Sequence, residues 1–94
     1  MKKSLSEAEI NNKILELSEW FFENNCLKKT YTFETFRDAM SFILRISYEV
    51  EELEHHPALF NCFNRVDISL NTHDVGNKVT QMDFDLALAI DSAA

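Results

Sequence analysis

Apolar residues recur along the chain at two different periods, and the switches between them divide the sequence into seven segments. Ile10, Ile14 and Leu17 stand at helical spacing behind Ser6-Glu7-Ala8-Glu9, whose serine and glutamate have the spacing of a capping box. A first helix is therefore expected from about Glu7 to Ser18. Trp20-Phe21-Phe22 and the stretch from Leu27 to Phe33 are rich in aromatic and β-forming residues, with Asn24-Asn25 between them as a turn, which predicts a β-hairpin. Thr35, with Asp38 three residues later, opens a second helix. In it Phe36, Ala39, Met40, Ile43, Ile46, Val50 and Leu53 recur every three or four residues and draw one apolar stripe, expected to pack on a sheet. Pro57 ends this helix, because the residue before a proline is pushed out of the helical region. His55 and His56 thus stand where the chain leaves the helix.

A strand is expected from Leu59 to Phe63, then a tight turn at Asn64-Arg65, then a strand from Val66 to Thr72 that alternates cleanly between apolar and polar positions. Val66, Ile68 and Leu70 should face the core. Asp67, Ser69, Asn71 and, by continuation, His73 should face the other way. A short loop from Asp74 to Val79 holds the only glycine, Gly76, and Thr80 with Asp83 starts a last helix carrying Phe84, Leu86, Ala87, Leu88 and Ile90. The order α-β-β-α-β-β-α predicts an α+β fold: a four-stranded antiparallel sheet with three helices on one face, in a single domain over residues 1–94. The other face of the sheet is left for solvent or for a second subunit.

Composition narrows the function classes. With 94 residues, 46% hydrophobic content and eight Phe, the chain can pack a core, and one Gly and one Pro leave no room for a flexible linker. A formal net charge of −7 argues against direct nucleic-acid binding and against an anionic membrane surface. No apolar run approaches the length of a membrane span. Met1-Lys2-Lys3 resembles the start of a signal peptide, but acidic Ser6-Glu7-Ala8-Glu9 stands where the apolar region should follow. A cytoplasmic location is expected, with Cys26 and Cys62 as free thiols whose spacing fits neither a zinc site nor a disulfide framework. The acidic run Glu49, Glu51, Glu52, Glu54 reads first as a solvated helix face.

The candidate chemistry lies with the three histidines, which occupy two element ends: His55 and His56 at the helix exit, His73 at the strand exit. Imidazole exchanges protons readily near neutral pH, so a cluster of them suits general acid–base work. Glu51 lies one helical turn before His55 and is placed to hold that imidazole, and Glu54 and Asp83 are further carboxylates within reach. Solvated surface histidines and a histidine–carboxylate metal site are the competing readings. Adjacent residues in an extended segment point to opposite sides, which works against the metal site.

Glu51-Glu52-Leu53-Glu54-His55-His56-Pro57, followed by Phe60-Asn61, Asn64, Val66, Ile68, Leu70, Thr72-His73 and Asp83, resembles the signature of the pterin-4a-carbinolamine dehydratases, and the likeness runs from Trp20 onward. The resemblance implies loss of water from 4a-hydroxytetrahydropterin to give quinonoid dihydropterin, in tetrahydropterin recycling, with no metal and no cofactor. Carried over by position, His55 and His73 match the proton donor and acceptor, and His56 the residue that positions the pterin. Glu51 matches a family glutamate, Asp83 the aspartate opening the last helix, and Trp20 a family tryptophan. Asn71 and Thr72 match the strand end offered to the flat heterocycle. Glu54 stands where many relatives have aspartate, Leu59 where many have tryptophan, and the loop from Gly76 to Met82 is one residue longer. A pterin substrate and a homodimer or homotetramer are the implied partners. The alternative is a non-enzymatic interaction protein, since animal relatives are dimerisation cofactors of a homeodomain transcription factor; Phe42 and Leu44, beside the main stripe, are candidates for such a second helix face.

Overall fold

Each helix begins where its sequence offers a side-chain acceptor. In the computed structural model, which describes residues 3–94, Ser6 and Glu9 close a capping box at the start of α1 (Glu7–Lys13). Met1 and Lys2, which opened the signal-peptide question, lie outside the described residues. Thr35 accepts the Asp38 N–H to start α2 (Phe36–Leu53), and Thr80 with Asp83 forms a capping box on α3 (Gln81–Ala93). The first helix is shorter than its periodicity predicts: a single 3-10 turn (Ile14–Glu16) replaces its last segment, and Leu17 is extended. Only Ile10 of α1 is buried and Asn11-Asn12 are weak helix formers, so little holds a longer helix together.

Four strands, β1 (Phe21–Glu23), β2 (Cys26–Thr32), β3 (Ala58–Cys62) and β4 (Arg65–Leu70), form one antiparallel sheet in the order β1-β2-β4-β3. The first hairpin turns at Asn24-Asn25 with φ of +52° and +59°, the left-handed pair that a two-residue loop requires and asparagine tolerates. Trp20 precedes β1 rather than opening it. The second hairpin turns at Phe63-Asn64, one residue before the expected place, and Cys62 pairs with Arg65. Asparagines decide this register. Asn61 Nδ2 donates to the Phe63 and Arg65 carbonyls, while Asn64 exchanges hydrogen bonds with the Phe33 backbone. Phe63 consequently sits at φ +53°.

All three helices lie on one face of the sheet, as the alternation predicts: Leu27, Val66, Ile68 and Leu70 are buried there against Ile46, Val50, Leu86 and Ile90. Along α2 the buried positions are Ala39, Phe42, Ile46 and Val50, whereas Phe36, Met40 and Leu53 are exposed. The core-facing stripe is thus rotated from the expected one. Phe42 belongs to the core, its ring packed between Tyr31 and Phe33 at 4.6 and 5.0 Å. Apolar residues cover more than half of this helix, so spacing alone permits two stripes; packing on β2 and α3 selects one. Among the described residues no helix is long and apolar enough to cross a membrane.

A polar brace ties the far end of α3 to the first hairpin. Asp91 accepts from Trp20 Nε1 (3.0 Å), Lys29 Nζ (2.8 Å) and the Tyr31 hydroxyl. Lys29 is 9% exposed on the core side of β2, where alternation calls for an apolar residue, and also donates to the Ser18 carbonyl. Burial, reinforced by the carboxylate at its hydroxyl, pushes the Tyr31 phenol far above its ordinary pKa. Lys29 is nearly covered while a quarter of the Asp91 side chain is exposed, so removing the carboxylate leaves a largely buried ammonium uncompensated, with some screening by solvent. Asp91→Ala is therefore expected to cost about 2 kcal/mol in a denaturant titration, against less than about 0.5 kcal/mol for the exposed, unbraced Glu7→Ala.

Candidate active site

The exit from α2 is built without the glycine that usually caps a helix. Glu54 adopts a left-handed conformation (φ +52°), and the His55 N–H reaches back to the Val50 carbonyl at 3.3 Å, a Schellman-type ending. The reversal sends the His55 side chain inward and leaves His56 exposed.

His55 Nε2 lies 2.5 Å from Asp83 Oδ1, and Asp83 is wholly buried beneath it. The second oxygen, Oδ2, accepts the Thr80 N–H at 2.9 Å and the Thr72 hydroxyl at 3.0 Å. Both oxygens of the carboxylate are thus engaged, which is the condition for burying a charge. The other ring nitrogen, Nδ1, has no partner among the described residues, and no buried side-chain nitrogen or oxygen there lacks one. Nδ1 is accordingly open to solvent.

Above this pair is a cleft of about 210 Å³ lined by Glu54, His55, His56, Thr72, His73 and Asp74. The two chain exits that carry the histidines do converge. Of the residues expected at the site, His55, His56, His73, Glu54 and Thr72 form its walls and Asp83 its buried support. His73 arrives differently from its expected place on an extended strand: β4 ends at Leu70, Thr72 makes an isolated bridge to Lys78, and His73 opens a 3-10 turn (His73–Val75). Three residues are placed elsewhere. The carboxylate on His55 is Asp83 and not Glu51, which is exposed on the last turn of α2. Asn71 donates to Cys26 Sγ and to the Asn77 carbonyl, tying the loop to β2. Trp20 is bound to Asp91, eight residues and about 12 Å along α3 from Asp83. Leu59, on β3, is no part of the cleft wall, and the longer loop before Asp83 still delivers that carboxylate to His55. Asp74 is the wall residue that sequence reasoning missed; a loop aspartate has no periodicity to mark it.

The structure is an α+β sheet carrying a histidine-lined cleft over a buried aspartate, and comparisons with known proteins supply the family. The family model described as pterin 4 alpha carbinolamine dehydratase matches residues 3–93, and the chain belongs to that family. A protein of Opitutus terrae named "Putative pterin-4-alpha-carbinolamine dehydratase" is 46% identical over 93% of this chain and 90% of its own. One of the same name from Sulfolobus acidocaldarius is 42% identical over 92% of this chain and 93% of its own. Among solved structures, a "transcriptional coactivator/pterin dehydratase" from Brucella melitensis superposes with a TM-score of 0.92 at 32% identity, covering 98% of this chain and 99% of the other. A pterin dehydratase-like protein identified as a RuBisCO assembly factor shares the fold at a TM-score of 0.65 and 19% identity, covering 83% and 89%.

The wall that carries His73 is closed by Gly76, whose N–H bonds the His73 carbonyl at φ +75°. Nothing stands within 4 Å of the place a Cβ would take, so a side chain there meets backbone strain and no clash. Gly76→Ala is expected to cost about 1 kcal/mol by denaturant titration. A larger loss would mean that the loop repacks.

Proposed function

We propose that the protein removes water from a 4a-hydroxytetrahydropterin, giving a quinonoid dihydropterin, by proton exchange with His55 and His73. The shared cleft carries this reading: it gathers three imidazoles from two separate chain exits and holds one of them on a buried carboxylate. In the reaction the carbon–oxygen bond at C4a breaks, the departing hydroxyl takes a proton to become water, and the neighbouring ring nitrogen gives one up. One imidazole supplies the first proton and the other accepts the second. His55 is assigned the acid and His73 the base. His56, exposed at the rim beside Glu54, positions the flat ring. The residues required are ionisable side chains only, which fits a pterin substrate and no resident cofactor. We place the reaction in the cytoplasm, where Cys26 and Cys62 stay thiols.

Self-association accompanies this reading. Phe36, Met40, Leu44 and Tyr48 form an exposed row on α2 at four-residue spacing, and Leu44 and Tyr48 are 61% and 69% exposed. Arg37 and Asp38 offset each other at the start of the helix, so the face is apolar rather than charged there. A second copy covering this row gives a homodimer, or a homotetramer built from two. The interaction-protein alternative draws on the same row of side chains.

Two measurements test these statements. In a dehydration assay on 4a-hydroxytetrahydropterin, His55→Ala and His73→Ala should each lose about 10²-fold or more in rate, the scale of a general acid or base. A wild type no faster than buffer would hand the case to the interaction protein. In sedimentation, Leu44→Glu should move the wild-type oligomer toward the monomer while circular dichroism stays unchanged; a monomeric wild type removes the association reading.

A further inference from the structure

The resemblance offers Thr72 to the substrate, yet it is 1% exposed and its hydroxyl is bonded to Asp83. The hydrogen bonds behind that carboxylate admit one consistent direction. The Met82 N–H can only donate, and it does so to Thr80 Oγ1 at 3.2 Å. Thr72 gives its single hydroxyl proton to Asp83 Oδ2 at 3.0 Å, so in its contact with Thr80 Oγ1, 2.8 Å away, it accepts and Thr80 donates. The Thr80 N–H donates to the same oxygen at 2.9 Å. With two donors on Oδ2 the group is built as a carboxylate, and a carboxylate Oδ1 can only accept, which makes Nε2 the donor across the 2.5 Å contact with His55.

We infer that Thr72 is a positioning residue: through Asp83 it holds neutral His55 as its Nε2–H tautomer and leaves Nδ1 as the nitrogen that exchanges protons in the cleft. The backbone supports the same role. The Thr72 N–H bonds the Lys78 carbonyl at 2.8 Å, and its carbonyl receives the Val75 N–H at 3.4 Å, inside the turn that carries His73. One residue therefore fixes the carboxylate behind one imidazole and the turn under the other. What the Nδ1 atom does rests on the proposed dehydration; which nitrogen carries the proton does not. A Thr72 that merely fills space would change stability on substitution and leave the tautomer as it was.

The test combines 15N-histidine NMR with the dehydration assay on the wild type, Thr72→Val and Thr72→Ser. The neutral wild-type His55 is expected to show a protonated Nε2 and a bare Nδ1. Thr72→Val keeps the shape and loses the donor; it should mix the tautomers and lower kcat roughly tenfold with KM within about twofold, the scale of a lost supporting hydrogen bond. Thr72→Ser should restore both. A wild-type signal with Nδ1 protonated overturns the inference without any variant, and so does a Thr72→Val protein whose spectrum and kcat match the wild type. If Thr72→Val does not fold, Thr72→Ala is read by the same two criteria. A tautomer shift in a protein with no dehydratase activity supports the positioning role while removing the proposed reaction.

Discussion

A carboxyl group sealed from water has to find its hydrogen-bond partners inside the protein, and Asp83 finds them on three different elements. His55 comes from the exit of α2, Thr72 from the end of β4, and Thr80 from the cap of α3. Leaving any of them unmatched would strand a buried charge, so the three element ends are held in one mutual arrangement. The cleft above exists because of that arrangement. Its floor is a satisfied polar network, and its walls come from two of those ends, the exit of α2 and the turn after β4.

The far end of α3 is secured in the same manner by Asp91, which gathers Trp20, Lys29 and Tyr31. Between the two aspartates the helix buries Phe84, Leu86, Ala87 and Ile90 against the sheet and α2. A helix fixed at one end by a buried carboxylate and at the other by a partly buried one, and packed along its length, has little freedom to rotate. The rigidity matters for the proposed reaction, in which an imidazole nitrogen has to be placed to within a fraction of an ångström. The family to which the chain belongs is named for a dehydration, and the row on α2 lies exposed.

Several turns are achieved without glycine. Glu54, Phe63, Asn24, Asn25 and Asn77 all have positive φ, and Gly76 is the only glycine. At Glu54 the left-handed residue separates the two neighbouring histidines, one turned in onto Asp83 and the other out to the rim. The strain of such a residue is tolerated where surrounding bonds over-determine the backbone, and here the Val50 and Glu51 carbonyls supply them.

By itself the sequence determined the seven elements, their order and the sheet's core face. It did so because helix caps, asparagine turns and period-two alternation are local properties. It also determined that the histidines leave two element ends, since Pro57 and the end of the β4 alternation are read from neighbours. Only the tertiary structure decided which carboxylate serves His55. Glu51 is near along the helix, but Asp83 is the one that packing encloses beneath the imidazole. It decided as well that Lys29 and Trp20 meet at Asp91, that Phe42 and not Met40 enters the core, and that Thr72 turns its hydroxyl inward. Each of these depends on which side of an element meets another element, and spacing along a chain carries no record of that.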